Sequence, residues 1–161
     1  MSATLHLLCG KIGSGKSTLA ARLAETPGTV LISEDVWLSA LFGDELRTGQ
    51  DFMRCSTKLR AVLGPHIVGL LKVGTSVVLD GQANTAESRF WMRGLIEESG
   101  AAHQMHVLLA DDALCLARLK ARNASGLHPF EVSEAMFHRF SAHFSPPAPA
   151  EGFRTVEHPQ S

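Results

Sequence analysis

The chain has 161 residues, a length that suits one compact domain and lets roughly two-thirds of the unfolded surface be buried. Hydrophobic residues at 45% and charged residues at 19% give an ordinary globular balance, which excludes a disordered chain. Fifteen Lys plus Arg against sixteen Asp plus Glu leave a formal charge of −1, which argues against a dedicated nucleic-acid binder without excluding a local basic groove.

In chain order, short apolar runs alternate with helical patterns. Thr4 to Cys9 reads as a buried strand, and Lys16 to Ala24 as a helix. Thr29 to Ile32 is a second strand, followed by a short helix from Asp35 to Phe42 that closes at Gly43. Asp51 to Val73 has helical spacing in two pieces, with Gly64-Pro65 as the expected break. Ser76 to Leu79 is a third strand ending at Asp80-Gly81, and Thr85 to Ser99 is a helix with Gly100 at its end. Met105 to Leu109 is a fourth strand, Asp111 to Arg122 a helix with an acidic start, and Glu131 to His143 another helix. Pro146, Pro147 and Pro149 form a connector to a last strand near Phe153 to Val156. This alternation predicts an α/β fold: a mainly parallel five-stranded sheet with helices on both faces and a small lid, in a single domain over 1–161.

Cys9, Cys55 and Cys115 form no CxxC pair, which argues against a disulfide framework or a zinc ribbon. Met1 to Leu8 lack a basic segment and a long apolar run, so no secretory signal is expected. No apolar stretch reaches the roughly 20 residues of a membrane span, and a cytoplasmic setting is expected.

The strongest signal is Gly10-Lys11-Ile12-Gly13-Ser14-Gly15-Lys16-Ser17, a complete G-x-x-x-x-G-K-[ST] between a predicted strand and a predicted helix. Its glycines let consecutive N–H groups turn inward toward phosphate oxygens, and the helix start adds its dipole. Gly10, Ile12, Gly13, Ser14, Gly15, Lys16, Ser17 and Thr18 are the expected nucleotide contacts. Lys16 is placed to reach the outer phosphates, and the Ser17 hydroxyl to ligate Mg²⁺. Val77-Val78-Leu79-Asp80 looks like a Walker-B-type strand whose carboxylate lies beside that ion; an aspartate ending a strand before a turn has the same pattern.

Neither an N-K-x-D guanine motif nor an L-S-G-G-Q signature is present. A small kinase needs an acceptor-activating carboxylate and arginines over the phosphates. Asp35 follows the second strand and would face the γ-phosphate from the neighbouring strand end. Asp35 or Ser33 could equally cap the next helix, and Glu34 is the substitute base. Arg118 and Arg122, four apart on a predicted helix, share one face suited to the transferring phosphoryl group or to solvent. Gly126 and Pro129 then suggest a lid loop.

From Leu5 to about Val156 the sequence resembles the kinase-like P-loop NTPases known as AAA-domain kinases, relatives of polynucleotide 5′-hydroxyl kinases, zeta toxins and chloramphenicol phosphotransferase. The resemblance rests on Gly10–Ser17, Asp35, Asp80-Gly81 followed by Arg89, the Arg118/Arg122 pair and the proline-rich Ser145–Pro149. It implies that Asp35 activates the acceptor, that Lys16 and both arginines handle phosphate, and that Ser17 holds magnesium. Polynucleotide kinases of this type carry an arginine three residues after the base; Leu38 stands there, which lowers the nucleic-acid reading. Trp37, Leu38, Leu41 and Phe42 suggest an apolar wall near the acceptor or plain core. The expected activity is transfer of the ATP γ-phosphoryl group to a small-molecule hydroxyl, with polynucleotide 5′-ends and a non-catalytic nucleotide-binding regulator as alternatives. The eight histidines show no metal-ligand spacing, and Arg54 with Lys58 reads as a solvated basic pair.

Overall fold

The computed structural model describes residues 2–126 and 132–160. Strands β1 (Thr4–Cys9), β2 (Thr29–Ser33), β3 (Ser76–Asp80), β4 (Ala102–Leu109) and β5 (Thr155–Pro159) form one sheet in the order β2-β3-β1-β4-β5. All four pairings are parallel, so the sheet expected to be mainly parallel is wholly so among the described residues. The helices are α1 (Lys16–Leu23), α2 (Glu34–Phe42), α3 (Gly49–Lys72), α4 (Ala86–Ser99), α5 (Asp112–Ser125) and α6 (Glu134–Ala142). Predicted features at Pro129 and Glu131 lie outside the described residues. No helix among those described is long and apolar enough to cross a membrane.

Side-chain alternation along the strands sorts the core into two faces. Leu5, Leu7, Val77, Leu79 and Met105 pack against Leu63 and Ile67 of α3 and Met92 and Leu95 of α4. Leu8, Val78 and Leu108 point the other way, against Ala20 of α1. A third cluster joins Cys115 and Leu119 of α5 to Val132 and to Phe137 of α6, with Ile12 packed on it.

The expected break at Gly64-Pro65 is not there: α3 runs unbroken through Pro65. Pro65 sits on the exposed face, so the carbonyl deprived of its partner can turn to water. Gly64 serves packing instead: a side chain there would meet Leu95 at 3.4 Å and Trp91 at 3.5 Å. β4 begins three residues earlier than expected, at Ala102, and β5 lies later, over Thr155–Pro159. The polar residues His103, Gln104, His106 and His158 hide both strands from a hydrophobic pattern.

Arg89 of α4 holds the proline-rich segment in place. It is 1% exposed. Its Nε donates to Glu151 Oε1 at 2.7 Å, and Nη1 donates to the carbonyls of Ala83 and Ser145 at 3.0 and 2.7 Å. The Arg89 hydrogen bond also holds the Glu151 carboxyl below its ordinary value. Arg89→Met should cost about 3–5 kcal/mol, because it strands these partners on one side of a buried pair. Urea unfolding of the two proteins checks this; equal midpoints would show that the clamp contributes nothing.

Candidate functional site

β1 is the central strand, with β3 on one side and β4 on the other. The chain leaves β1 toward β2 and later crosses to β4, so the crevice at the carboxyl end of β1 is where such a sheet binds ligands. Residues 10–17 turn there. Gly13 at φ 82 and Gly15 at φ 100 use the left-handed region that glycine alone enters easily. A side chain at Gly13 would meet the Cys115 carbonyl oxygen at 2.4 Å, so α5 lies directly on the loop. Gly10 N–H donates to Asn84 Oδ1 at 3.0 Å, which ties the loop to the segment after β3. No side chain caps α1, whose Ncap is Gly15, so its first-turn N–H groups are left for an anion.

Lys16 Nζ arches over the loop and donates to the carbonyls of Gly10 and Lys11 at 2.5 and 3.1 Å. Desolvation lowers its pKa from the ordinary lysine value, opposed by the nearby carboxylates of Asp80 and Asp35. Ser17 Oγ donates to Asp80 Oδ2 at 3.1 Å. A hydroxyl and a carboxylate are hard oxygen donors that suit magnesium, which keeps water and phosphate oxygens as its other ligands. No three His, Cys, Asp or Glu among the described residues gather into a metal-binding group of their own. Thr18 is exposed on the first turn of α1, and Ser14 Oγ is buried without a hydrogen-bond partner among the described residues.

The start of α2 separates three roles that the sequence leaves open. Ser33 is the cap: its hydroxyl accepts from Val36 N–H at 3.4 Å. Glu34 is 5% exposed, and Arg60 of α3 grips both its oxygens, Nε to Oε1 at 2.8 Å and Nη2 to Oε2 at 3.1 Å. Both carboxylate oxygens of Glu34 are thus engaged by one guanidinium. Asp35 is half-buried, and its charge acts on both Lys16 of the loop and Arg122 of α5.

The two arginines expected to share one face have different surroundings. Arg118 Nη1 donates to the Ser14 carbonyl at 3.1 Å and Nη2 to Gln160 Oε1 at 3.3 Å, bracing the loop. Arg122 is half-buried; desolvation lowers its pKa while Asp35 raises it. Its Nε has no hydrogen-bond partner among the described residues.

A loop of this geometry between β1 and α1, in a sheet of this order, has relatives. Residues 5–147 match the family model described as AAA domain. The chain belongs to that family. The structure of a candidate kinase from Chloroflexus aurantiacus J-10-fl is similar at a TM-score of 0.77 with 19% identity, covering 98% of this chain and 85% of that one. Chaetomium thermophilum Kti12 in complex with ADP-AlF3 is similar at 0.69 with 13% identity, covering 98% and 88%. A gluconokinase from Sinorhizobium meliloti 1021 is similar at 0.60 with 16% identity, covering 98% and 82%. No curated protein sequence matches the chain. This AAA-domain protein therefore has a kinase-like P-loop fold of the nucleotide-binding kind.

Sequence reasoning missed two residues that shape the site of this AAA-domain protein. Asn84 anchors Gly10; its only signal is a polar residue shortly after the strand-end Asp80. Arg60 holds Glu34, donates to Ser88 Oγ at 3.1 Å and stacks over Trp91 at 4.4 Å from the ring centre. Gly81 completes that arrangement, since a Cβ there would overlap the Glu34 carboxylate. The start of α2 is thereby seated against the residue after Asp80. The expected apolar acceptor wall is partly core: Leu38 is 1% exposed and Trp37 and Phe42 pack on the main cluster, while Leu41 faces solvent. Arg54 is paired with Glu45 and Asp51 at the surface. Beside the loop lies a cavity of about 140 Å³ lined by Lys11, Gln82, Asn84, Thr85, Phe140 and Phe144, among others. A wider hollow of about 360 Å³, at Ser2, Gly74 and Gly100, lies at the opposite, amino-terminal edge of the sheet.

Proposed function

We propose that this protein is an ATP- and magnesium-dependent phosphotransferase that moves the γ-phosphoryl group of ATP to a hydroxyl of a small-molecule acceptor. The observation that carries the reading is the loop itself, with Lys16 Nζ on the Gly10 and Lys11 carbonyls and Ser17 Oγ on Asp80 Oδ2, and with Asp35 close enough for its charge to act on Lys16 and Arg122. In the proposed reaction the acceptor oxygen bonds to the γ-phosphorus as the bond to the ADP-side oxygen breaks. Asp35 takes the acceptor proton, and ADP leaves with the electron pair of the broken bond. Lys16 and Arg122 stabilise charge spreading over the phosphoryl oxygens, and Arg118 keeps the loop in shape around the nucleotide. Ser17 and Asp80 would hold the magnesium ion, which neutralises phosphate charge when bound. The cavity beside the loop mixes amides, two hydroxyls, an imidazole and aromatic rings, and its Lys11 is already paired with Asp112 at 2.8 Å. Such a lining suits a neutral polar acceptor better than a polyanion. A reducing, cytoplasmic setting belongs to this reading, since Cys9, Cys55 and Cys115 are free and buried.

A library of hydroxyl compounds incubated with γ-labelled ATP tests the proposal. Label should pass to one chemical class of small alcohol. Label released only as phosphate would identify an ATPase, and label on oligonucleotide 5′-ends would move the acceptor to nucleic acid. With the acceptor in hand, Arg122→Ala should lower kcat about 10–100-fold with little change in ATP affinity. That is the worth of one charged hydrogen bond made in the transition state. An unchanged kcat would return Arg122 to a structural role.

A further inference from the structure

β5 pairs with β4 alone among the described strands, from Thr155 opposite Met105 to Pro159 opposite Leu109. Imidazoles tie it down as well. His6 of β1, His106 of β4 and His158 of β5 share the sheet face that carries Leu8 and Leu108. His6 Nδ1 lies 3.0 Å from His106 Nε2, and His106 Nδ1 lies 2.9 Å from His158 Nε2. The ring centres are 5.3 and 5.1 Å apart. His106 is 3% exposed and the outer rings are half-buried. A fourth ring, His103 Nε2, accepts the Arg154 N–H at 3.0 Å where the chain enters β5.

Counting protons shows what such a chain tolerates. Each nitrogen–nitrogen contact needs one proton, no more and no fewer. Three neutral rings carry three protons, of which two fill the contacts and one sits on an outer nitrogen. A fourth proton fills the other outer nitrogen and leaves both contacts intact. A fifth must place N–H against N–H and break one. The chain therefore survives one added proton and fails at the second.

We infer that the His6–His106–His158 chain is a proton-binding site that latches β5 onto the sheet and releases it when a second proton is taken up. The latch reaches the phosphate loop through Gln160, which follows β5. Gln160 Nε2 donates to the His158 carbonyl at 3.4 Å, and Gln160 Oε1 accepts from Arg118, whose guanidinium also holds Ser14. Release of β5 takes from Arg118 one of these two anchors. This last link rests on the nucleotide reading of the loop; the latch itself does not.

The electrostatics act in the same direction. Desolvation, with the neighbouring His6 and His158, pushes His106 down to about 4. Burial lowers His6, and burial with Arg93 of α4 and Arg154 lowers His103. The helix on this face, α1, meets it through the apolar Leu19, Ala20 and Leu23. Because the closed chain holds at most one added proton while three freed rings can take one each, the open form binds more protons below the ordinary histidine value of about 6.5. The latch is at full strength above that pH and is lost as pH falls toward about 4.

Amide hydrogen exchange and histidine ring nitrogen NMR on the full chain test this. Between about pH 6.5 and 4, protection of the β5 amides, corrected for intrinsic exchange, should fall about a hundredfold or more per pH unit, the signature of two protons. Amides of β1 and β3 should keep their protection. His106→Gln bridges its neighbours without titrating and should reduce the slope to about tenfold per unit. His158→Gln, at the half-exposed edge, makes the same test if the buried substitution does not fold. Wild-type protection independent of pH, or an equally steep fall in the Gln variant, overturns the latch. The Arg118 side-chain resonance should shift as β5 opens; a resonance that stays put overturns the coupling. MgADP titrated above pH about 6.5 is the separate control: absence of binding there would sink the nucleotide reading and leave the β5 result standing.

Discussion

Lys16→Ala should keep the fold and lose nucleotide-dependent turnover by about 10³-fold or more, the scale of removing a fixed cation from a phosphoryl-transfer site. The fold should survive because the loop has other anchors. Asn84 still receives Gly10 N–H, Ser14 N–H still donates to the Lys11 carbonyl at 3.0 Å, and Leu19 N–H still donates to Gly15 at 3.1 Å. What disappears is the positive charge among Asp80, Cys9 and Asp35. Without it the two carboxylates repel the phosphates that the loop is shaped to receive. Thermal midpoint, MgATP affinity and turnover on one preparation check this, and unchanged turnover would remove the loop from the mechanism.

The phosphate loop is legible in sequence because each of its residues answers a local demand. Positive φ at Gly13 and Gly15, and a Cys115 carbonyl where a Gly13 side chain would stand, leave glycine as the workable choice. The same holds for β1 and β3, whose apolar runs report burial on both faces of a parallel sheet. Where the decision belongs to a distant partner, the reading fails. Pro65 looks like a break until its exposed side of α3 is known, and Gly64 looks like one until Trp91 is placed beside it. The Arg60–Glu34 pair spans 26 positions, and the two histidine contacts span 100 and 52. No periodicity encodes such separations. Helical spacing puts Arg118 and Arg122 one turn apart on α5, but their surroundings diverge because that turn separates contact with Ser14 and Gln160 from the reach of Asp35.

Asp35→Asn should lower transfer to the acceptor by about 10²–10⁴-fold, the usual worth of a positioned general base, while MgATP affinity changes little. The substitution is nearly isosteric, and the start of α2 has anchors on either side of Asp35 that remain in place. Ser33 caps α2, and the Glu34–Arg60 pair seats the helix start against Gly81. The thermal midpoint should therefore stay close to that of the parent. The loss of charge has a second, separable consequence. Asp35 raises the pKa of Lys16 and of Arg122, so its removal lowers both further. Of the two, Lys16 is the one whose ordinary value lies within reach of assay, so the alkaline limb of the residual activity should move to lower pH. A base role thus predicts a large fall in rate across the whole pH range, with that limb displaced on top. If Asp35 acts only by supporting the Lys16 charge, the rate should recover toward the parent value as pH falls. Full transfer activity with Asn at position 35 would sink the assignment.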